Sequence, residues 1–415
     1  MISYKSSLNK LKKSKLKISD QIINTSDCLN RISASNIYCK VFNPSADNAA
    51  FDGFAINSKD TKNLNKKKFF NIIGSAAAGD KPFNKKIKKF QAVEIMTGGI
   101  IPKGFDTIIP IEKIIFYPNN NKPKKILIDR QIKKFQHVRF KGSDFKKNDL
   151  IVKKGTVLKS KHILTLKTLG IKKIKVKKIP NILFFSTGNE ITDNDKIPSW
   201  KVRNSNSHYI NSLSSNFLFN YKYGGILRDK DMVLFSKKIK KMINSKIDLI
   251  ITSGAVSAGK FDFIPSVIKK FKLSNYFKSV SIRPGKPILF AKIKGKQKAI
   301  FGLPGNPISS AACFRFFVYP YLQESLGIDN EKPIKAILKN NFLKKKNFTR
   351  FVKSKINTTK NGKVEVAILK GQESFRVKSF NESNIWVLLP SGKSNFKKGD
   401  VVECFFPDHP NKLFT

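Results

Sequence analysis

Apolar runs alternate with segments of helical periodicity between residues 179 and 327. The runs NILFFST, DLIITS and KAIFGLP are short, continuous and rich in β-branched or aromatic residues, which predicts strands buried on both faces. The segments NSLSSNFLFNYKYG, MVLFSKKIKKMI, FIPSVIKKF and ISSAACFRFFVYPYLQESLG have the period of amphipathic helices. Buried strands that alternate with helices predict a three-layer α/β domain with a mainly parallel sheet.

The regions on either side of this domain have other patterns. Residues 1–40 have apolar positions at helical spacing, which predicts a helix followed by a short strand near Asn36–Val41. Short apolar runs broken by Gly, Pro and Asn make residues 42–144 β-rich. Leu158–Gly170 has the pattern of a helix that ends at a C′ glycine, and the alternating IKKIKVKKI after it predicts a strand. Residues 333–415 contain short strands separated by Gly and Asn turns, which predicts a small β-barrel or sandwich.

The charge of the chain is extreme for a globular protein. Its 415 residues include 81 Lys plus Arg against 28 Asp plus Glu, a formal net charge of +53. One interpretation of such a charge is that the protein binds nucleic acid or an anionic membrane. Only nine of the basic residues are Arg, although Arg is preferred for bidentate phosphate and base contacts, and the Lys residues are spread along the whole chain. Codon usage in an A+T-rich genome explains this pattern better, so we expect no specific nucleic-acid partner.

Composition also excludes several classes of protein. A hydrophobic fraction of 40% indicates a globular chain, and the absence of any run of 18 apolar residues predicts no membrane span. The basic N-terminus lacks the apolar segment of a secretory signal. The four cysteines form no CxxC pair, and no His stands at zinc-finger spacing from them. This argues against a disulfide framework or a zinc knot and predicts a reducing, cytoplasmic location.

Residues suited to binding a phosphate follow two of the predicted strands. They are Thr187, Gly188 and Glu190 after the first strand, and Thr252, Ser253, Gly254, Ser257, Gly259 and Asp262 after the second. Ligands of open α/β sheets bind at the carboxyl ends of strands, where bare glycine amides and hydroxyl groups favour anions. Acids in such loops are tolerated beside phosphate when a divalent cation lies between them. Two such loops favour a Mg²⁺-bridged phosphate ligand over ordinary helix capping, which would explain either loop alone.

Three further segments carry candidate chemistry. Arg283 and Lys286 flank a Pro-Gly turn and could hold an oxyanion, although Lys is so frequent that scattered surface charge explains them equally well. In GLPGNP, Asn306 is a plausible N-cap with Pro307 at the first helical position. The backbone amides of this turn could bind an anion, but helix capping alone would also explain these residues. The segments Asn48–Ile56 and Glu94–Glu112 of the β-rich region contain little Lys, which indicates a buried or functional surface, and a β-turn remains the alternative.

At these segments the sequence resembles the molybdopterin molybdenumtransferases, the MoeA family, which includes the E domain of eukaryotic gephyrin. The matching motifs occur in order over nearly the whole chain: NPSADNAAFDGFA, EIMTGGIIPKGFDTII, KGSDF, STGNEI, RNSN, GILRDKD, DLIITSGAVSAGKFDF, RPGKP and GLPGNP. The resemblance implies an elongated homodimer of four-part chains. The parts are residues 1–41 with 145–178, a β-rich domain at 42–144, a MogA-like molybdopterin-binding α/β domain at 179–327, and a C-terminal β-barrel at 333–415.

The resemblance also implies a reaction and a set of site residues. Adenylylated molybdopterin and molybdate are the substrates, Mg²⁺ is the cofactor, AMP leaves, and a molybdopterin adenylyltransferase is the upstream partner. By position, the catalytic set is Asp52, Thr97, Asp144, Arg283 and Lys286. The metal ligands would be Glu190, Asp229 and Asp262. The substrate-binding set is Thr187, Gly188, Thr252, Ser253, Gly254, Ser257, Gly259, Pro304, Gly305 and Pro307.

The chain departs from the family pattern at three places. Ala255 stands where many members have a second Gly, Arg283 stands where many have Lys, and Ser279 replaces a further Lys. Other functions of the same fold are a non-catalytic scaffold, as gephyrin also is, or the adenylyltransferase step alone. The acids Asp52, Glu190 and Asp262 favour an enzyme over a scaffold. The β-rich region with Asp52 and Thr97 favours the insertion step.

Overall fold

The computed structural model describes residues 1–62, 67–121, 123–256 and 263–410. The chain forms two compact units. They consist of Met1–Ser35, Lys154–Ile163 and Lys173–Thr415 in the first unit, and of Asn36–Lys153 and Leu164–Lys172 in the second. The four domain boundaries expected from the resemblance stay a prediction.

A six-stranded sheet forms the centre of the first unit. Its strands lie in the order Asn220–Leu227, Asn181–Thr187, Leu249–Ser253, Ala299–Leu303, Leu289–Ile293 and Leu273–Lys278. The first four strands are parallel, and the last two are joined to the sheet antiparallel. The strands Leu249–Ser253 and Ala299–Leu303 are buried along their whole length, because apolar side chains cover both of their faces.

Helices cover both faces of this sheet, which confirms the prediction of a three-layer α/β fold. On one face lie Met232–Ile243 and Ile264–Lys269, whose apolar sides pack against Phe185, Ile250 and Ile300. The helices of the other face pack around a larger core, and they are Tyr4–Lys13, Ser205–Ser212, Pro307–Cys313 and Tyr319–Leu326. The first of these begins at Ser3, whose hydroxyl oxygen accepts the Ser6 N–H at 3.1 Å as an N-cap.

Two segments predicted as single helices are built differently. The helix prediction is wrong for most of NSLSSNFLFNYKYG, residues 211–224, because only Asn211 and Ser212 belong to the helix Ser205–Ser212. Its last five residues begin the edge strand Asn220–Leu227, where Tyr221 and Tyr223 belong to a period-two pattern. The long C-terminal helix is interrupted by the π-helical turn Phe314–Val318. Pro320 follows this turn, and a proline has no N–H for the carbonyl four residues earlier. The Tyr4 hydroxyl donates to that carbonyl, the oxygen of Phe316, at 3.4 Å.

A closed five-stranded barrel follows the α/β part of the chain. Its strands pair in the order Thr349–Thr358, Val364–Ile368, Ile334–Leu338, Val401–Phe405 and Ile385–Leu389, and the last pairs with the first. The short strand Ile282–Arg283 joins Thr349–Thr358 in parallel. Because the sheet closes on itself, the region is the β-barrel and not the sandwich that was the other predicted alternative. The strand Ile385–Leu389, which the sequence pattern did not indicate, closes it.

The second unit contains another six-stranded sheet, as the β-rich pattern predicted. Its strands lie in the order Thr107–Pro110, Gly53–Ile56, Gln91–Ile95, Lys68–Ala76, Lys125–Ile128 and Ile115–Tyr117. Apolar clusters form on both sides of this sheet, one around Phe54 and Phe70 and the other around Val93 and Ile108.

Shorter elements complete the two units. Asp20–Asn24 pairs antiparallel with the predicted strand Lys173–Lys177, and the predicted helix is Ser160–Thr168, followed by Gly170 with φ +70°. The remaining strand pairs are Ile37–Tyr38 with Leu150–Val152, Asn48–Ala49 with Val138–Arg139, Ile191–Thr192 with Val202–Arg203, and Phe342–Leu343 with Asn395–Phe396. The remaining short helices are Thr25–Asp27, Ser58–Thr61, Ile111–Lys113 and Val377–Asn381. Within the described ranges, no helix has the length and apolar character needed to cross a membrane.

Candidate active site

A polar cavity of about 360 Å³ lies at the carboxyl ends of the parallel strands. It is formed by the ends of the strands Asn181–Thr187 and Leu249–Ser253, by the segments after Asn181–Thr187 and Ala299–Leu303, and by residues 202–206. This is the expected place for a ligand site in an open α/β sheet. Its lining residues are Ser186, Glu190, Ile191, Val202, Arg203, Asn204, Ser205, Asn206, Ser253, Gly305, Asn306 and Pro307. Of the predicted positions, Glu190, Ser253, Gly305 and Pro307 therefore line the cavity. Thr187, Gly188, Thr252, Gly254 and Pro304 belong to the same strand ends and loops.

Glycines allow the strand-end loops to approach each other closely. Gly254 has φ +105°, and a Cβ there would lie 2.6 Å from both the carbonyl and the hydroxyl oxygen of Thr187. Its N–H donates to the carbonyl of Leu303 at 2.8 Å. A Cβ on Gly305 would in turn lie 3.7 Å from the Cα of Gly254. These loops present bare backbone to the crevice, which is the arrangement that favours a phosphate.

Asn206 joins two of the loops through its side chain. Its Nδ2 donates to Ser253 Oγ at 2.6 Å and to the carbonyl of Gly305 at 2.8 Å. The hydroxyl of Thr187 donates to the carbonyl of Ser253 at 2.9 Å, which fixes the neighbouring strand end. Thr252 Oγ1 is buried and has no hydrogen-bond partner among the described residues.

Asn204 organises the other wall of the cavity. Its Oδ1 accepts the Ser186 hydroxyl at 2.6 Å and caps the helix Ser205–Ser212 through the Ser207 N–H at 3.4 Å. Its Nδ2 donates to Asp193 Oδ1 at 2.7 Å and to the Tyr223 hydroxyl oxygen at 2.9 Å. Burial raises the pKa of Tyr223 to about 12, so the phenol stays a neutral donor. The sequence analysis gave Asn204 and Asn206 no individual role, although both belong to the matching motif RNSN. Asn204 also had the N-cap preference of Asn before a helix as a signal.

The predicted acids of this domain differ in their surroundings. A Cβ on Gly188 would lie 2.5 Å from both carboxylate oxygens of Glu190, so this carboxylate folds back over the glycine. Asp229 Oδ2 accepts Asn189 Nδ2 at 2.7 Å, and Asp229 is not a lining residue of the cavity. Arg228 Nη1 holds the loop by donating to the carbonyls of Gly188 at 2.9 Å and Ile191 at 2.7 Å.

Three of the predicted site residues, Ser257, Gly259 and Asp262, lie outside the described residues. Among the residues that the structure does describe, no three His, Cys, Asp or Glu side chains are grouped as metal ligands. The predicted metal set of Glu190, Asp229 and Asp262 therefore stays a prediction.

The RPGKP turn packs against the helix that begins at the cavity. Gly285 has φ +100°, and a Cβ there would lie 2.4 Å from Cys313 Sγ near the end of the helix Pro307–Cys313. Lys286 and Arg283 are exposed on this turn. Arg283 stands opposite Arg350 in the register of the strand pair. Burial lowers the pKa of Arg350, and the charge of Arg283 lowers it further, so the two guanidinium groups interact electrostatically.

A loop of the C-terminal barrel reaches the edge of the cavity. Ser374 Oγ lies 3.2 Å from Asn306 Nδ2, and the Ser374 carbonyl accepts the Ile308 N–H at 3.3 Å. Lys353 positions the loop, because its buried Nζ donates to three backbone carbonyls. They are the carbonyls of Gly371 at 2.7 Å, Glu373 at 3.2 Å and Arg376 at 3.1 Å.

Sequence reasoning missed both Arg350 and Lys353. Arg350 is one of only nine Arg residues in a Lys-rich chain, and that rarity was its signal. Nothing in the sequence distinguishes Lys353 from the other lysines. Its role depends on the fold of the barrel, which buries its side chain.

The second unit holds three of the predicted catalytic residues. Asp52 Oδ1 accepts the Thr97 N–H at 2.6 Å and the Thr97 hydroxyl at 2.8 Å, so the structure brings these two residues together. Asp144 Oδ2 instead accepts Asn43 Nδ2 at 2.8 Å. Gly53 is the first residue of the strand Gly53–Ile56, which argues against the β-turn alternative at this residue. The position needs glycine because a Cβ there would lie 1.9 Å from the carbonyl oxygen of Ile109.

A glycine-rich crevice at the carboxyl ends of a parallel sheet, joined to a closed barrel, defines a multidomain α/β protein with a polar ligand-sized cavity. Comparison with known families gives three matches in order along the chain. Residues 2–170 match the MoeA N-terminal region (domain I and II), residues 184–324 match a probable molybdopterin binding domain, and residues 335–405 match the MoeA C-terminal region (domain IV).

Similar proteins cover nearly the full length of the chain. A molybdopterin molybdenumtransferase of Staphylococcus aureus (strain COL) is 32% identical over 92% of this chain and 89% of its own. That of Staphylococcus epidermidis (strain RP62A) is 31% identical over 98% and 96%. A crystal structure of the molybdopterin biosynthesis moeA protein from Pyrococcus horikoshii OT3 has a TM-score of 0.81 at 25% identity, over 97% of this chain and 99% of that one. The chain belongs to the MoeA family of molybdopterin molybdenumtransferases, which confirms the family expected from its motifs.

Proposed function

We propose that this protein inserts molybdate into adenylylated molybdopterin, with Mg²⁺-dependent release of AMP, as a step of molybdenum cofactor biosynthesis. The observation that carries the proposal is the contact of Ser374 with Asn306. It links the glycine-rich crevice to the barrel loop that Lys353 holds. A crevice for phosphate and a pair of interacting cations, Arg283 and Arg350, thus belong to one unit of the chain.

We assign the two substrates to different groups of residues within the described part of the chain. The loops at Gly188, Gly254 and Gly305 suit the phosphate groups of the pterin substrate, because the missing side chains let a ligand come close to the backbone. The N–H groups of Gly188 and Gly254 themselves donate to the carbonyls of Leu227 and Leu303. Arg283 and Arg350, with Lys286, suit the molybdate dianion, because paired guanidinium groups bind oxyanions by charge-assisted hydrogen bonds. Holding both substrates on one rigid framework reduces the entropic cost of bringing them together.

The donor groups of the crevice fit Mg²⁺, which prefers oxygen ligands. The Glu190 carboxylate accepts no hydrogen bond from the other described residues, and the buried Thr252 hydroxyl oxygen also has no described partner. We expect Glu190 to supply a ligand, with Asp229 and Asp262 as the further predicted acids. A bound Mg²⁺ would stabilise the negative charge on the departing phosphate.

The β-rich unit contributes an acid that is held as an anion. Two hydrogen bonds from Thr97 lower the pKa of Asp52, the backbone N–H being the larger contribution. An ionised carboxylate can accept a proton or orient a water molecule. We propose this role for Asp52, with Thr97 as its positioning residue, and we propose Asp144 as a further acid of the same unit.

The proposed setting follows the family. We propose a homodimer in the cytoplasm that receives its substrate from a molybdopterin adenylyltransferase. The Lys-rich surface then has no specific nucleic-acid partner.

Incubation with adenylylated molybdopterin, molybdate and Mg²⁺ tests the reaction, with AMP followed by chromatography. We expect AMP release that requires both molybdate and Mg²⁺, and its loss in Glu190→Ala. A non-catalytic scaffold would release no AMP from adenylylated molybdopterin. The absence of AMP release by the wild-type protein would therefore contradict the proposal. Formation of adenylylated molybdopterin from ATP would instead identify an adenylyltransferase.

A further inference from the structure

Trp200 is an exposed tryptophan next to the candidate active site. Trp200 is 74% exposed, whereas the other tryptophan of the chain, Trp386, is 1% exposed and packs near Phe316 and Phe380. A large aromatic surface left in water is costly unless a ligand or partner covers it. Neither the family resemblance nor the cavity geometry gave Trp200 a role.

The loop that carries Trp200 is held in place by hydrogen bonds. The Lys201 N–H donates to the Pro198 carbonyl at 3.0 Å, which closes a turn around Trp200. Lys201 Nζ donates to the Asn189 carbonyl, and Arg203 Nη2 donates to the Asp195 carbonyl at 3.2 Å. These bonds tie the loop to the strand-end segment of the crevice. The loop that carries the indole is therefore tied to the crevice on the C-terminal side of Trp200.

Trp200 is close in sequence to two residues that line the cavity. It lies two residues before Val202, so their Cα atoms are at most roughly 7.6 Å apart, about the length of an indole side chain. Val202 lines the cavity and pairs with Ile191, another lining residue, yet it is 53% exposed. The remaining lining is mostly polar. Ile191 and Val202 therefore form an apolar edge of a polar cavity, and Trp200 precedes this edge by two residues in the chain.

The size of the cavity indicates what this edge binds. A volume of about 360 Å³ is near the lower end for ligand pockets. The proposed substrate has two ring systems joined by phosphates, so the cavity and glycine loops can take the phosphates and at most one ring. The other planar ring must lie at the edge. An exposed indole on a loop tied to the crevice is suited to stacking on such a ring.

We propose that Trp200 binds a planar, nitrogen-containing bicyclic ring of the substrate by stacking at the apolar edge formed by Ile191 and Val202. The proposal rests on the proposed function for the identity of the ligand, and it adds a specificity residue particular to this chain. Adenine and pterin share the required ring chemistry. The experiment distinguishes them.

Tryptophan fluorescence gives a direct readout, because Trp386→Phe leaves Trp200 as the single tryptophan of the chain. In this variant, AMP and neopterin are titrated separately, with ribose 5-phosphate as the control that lacks a ring. We expect one of the two ring ligands to lower the emission and the acrylamide quenching constant of Trp200. Ribose 5-phosphate should change neither. The ligand that protects Trp200 identifies whether the edge holds adenine or pterin.

Substitutions supply the second arm. Trp200→Ala should weaken the binding of that ligand, measured by calorimetry, by roughly tenfold, the scale of one lost base–aromatic stacking contact. Trp200→Phe should retain most of the affinity. Leu343→Ala, a change at a side chain 74% exposed on the barrel, is the matched control and should bind as wild type does. Circular dichroism checks that all variants are folded.

Two results would overturn the proposal. One is an unchanged quenching constant for Trp200 with both ring ligands at concentrations that calorimetry shows to be saturating. The other is wild-type affinity in Trp200→Ala. Either result with normal AMP release by the wild-type enzyme removes the role of Trp200 and leaves the proposed function intact. Absent AMP release in the wild-type enzyme contradicts the function itself.

Discussion

Asp52 and Thr97 form a two-bond contact in which one carboxylate oxygen accepts both donors of a single residue. The backbone N–H lies 2.6 Å from Asp52 Oδ1, and the hydroxyl oxygen lies 2.8 Å from it. The two residues stand on segments far apart in sequence, and the register of Gly53–Ile56 with Gln91–Ile95 brings them together. Hydrogen bonds to the charged form favour it, so this contact keeps Asp52 ionised.

Removing the Thr97 hydroxyl should raise the pKa of Asp52. In Thr97→Val the backbone N–H still donates, so the pKa should move only part of the way to its ordinary value. Carbon-13 NMR of the Asp52 carboxyl group during an acid titration measures this shift. Thr97→Ser keeps the hydroxyl and is the matched control.

The same pair should affect turnover if Asp52 acts as proposed. Asp52→Ala should lower the rate of AMP release by roughly a hundredfold or more, the usual contribution of a general acid or base. Thr97→Val should lower it less, with the acid limb of the pH–rate profile moved to higher pH. An unchanged profile in Thr97→Val would separate this contact from catalysis.

Strong local patterns predicted most of the α/β fold. Continuous apolar runs identified the central strands, and glycine and hydroxyl residues after them indicated the crevice. Periodicity failed where two elements meet within one apolar stretch, as at the helix Ser205–Ser212 and the strand Asn220–Leu227. Spacing alone cannot distinguish the periods in so short a segment.

The missed site residues depend on contacts between distant segments. Asn206 joins loops whose residues are 47 and 99 positions away in sequence. Arg350 comes to lie opposite Arg283 only because a two-residue strand joins the barrel. Such pairings are set by tertiary structure, which no local pattern encodes. The proximity of Asp52 to Thr97 has the same origin, so the sequence could indicate the two residues but not their contact.

Ala255 occupies a backbone conformation that favours glycine. Its φ is +53°, in the left-handed region, where a Cβ costs about 1–2 kcal/mol. Replacing Ala255 with Gly would remove this cost. Part of the stabilisation is offset because glycine has more conformational freedom in the unfolded chain. Ala255→Gly should therefore stabilise the protein by roughly 0.5–1 kcal/mol and raise the midpoint of thermal unfolding.

The matched control for this change is its reverse at another site. Gly295 in the same unit has φ +71°, and a Cβ there would meet no atom within 4 Å. Gly295→Ala should lower the midpoint by a similar amount. If Ala255→Gly also lowers it, packing of the Ala255 methyl group against the neighbouring apolar core outweighs the backbone strain.

Lys353 should give the stability of the protein a specific dependence on pH. Burial lowers the pKa of its ammonium group to about 8, below its ordinary value of 10.5. Below pH 8 the folded protein holds a buried charge at a cost. Between pH 8 and 10.5 the unfolded chain binds the proton and the folded protein does not, so stability from this group rises with pH.

Comparison of wild type with Lys353→Met isolates this effect. The variant loses the three hydrogen bonds to the loop at residues 371–376, so at pH 7 it should be less stable by roughly 1–3 kcal/mol. The stability advantage of the wild type should grow from pH 8 to 10.5 in urea unfolding experiments. Lys355→Met changes an exposed residue of the same strand and should show no such trend. A constant difference between wild type and Lys353→Met would contradict the lowered pKa.

The basic residues of the chain should differ sharply in their functional importance. Arg350 is partly buried beside Arg283, whereas Lys355 of the same strand is exposed to solvent. Exposed charges are screened by salt within about 8 Å at physiological ionic strength, so a lone surface lysine contributes little to binding an anion. The guanidinium group of Arg350 is partly buried, so its proposed attraction for molybdate should be screened less, and the neighbouring charge of Arg283 should add to it.

Arg350→Ala should therefore raise the molybdate concentration needed for half-maximal AMP release by about tenfold or more, the loss expected for one charge-assisted hydrogen bond. Arg283→Ala should have a similar effect, and Lys355→Ala should change the requirement by less than about twofold. The measurements are repeated at low and high salt, because a surface contribution would disappear with screening while that of Arg350 would persist. Equal effects of Arg350→Ala and Lys355→Ala would mean that the whole basic surface attracts the substrate, and codon usage would no longer explain the charge of +53.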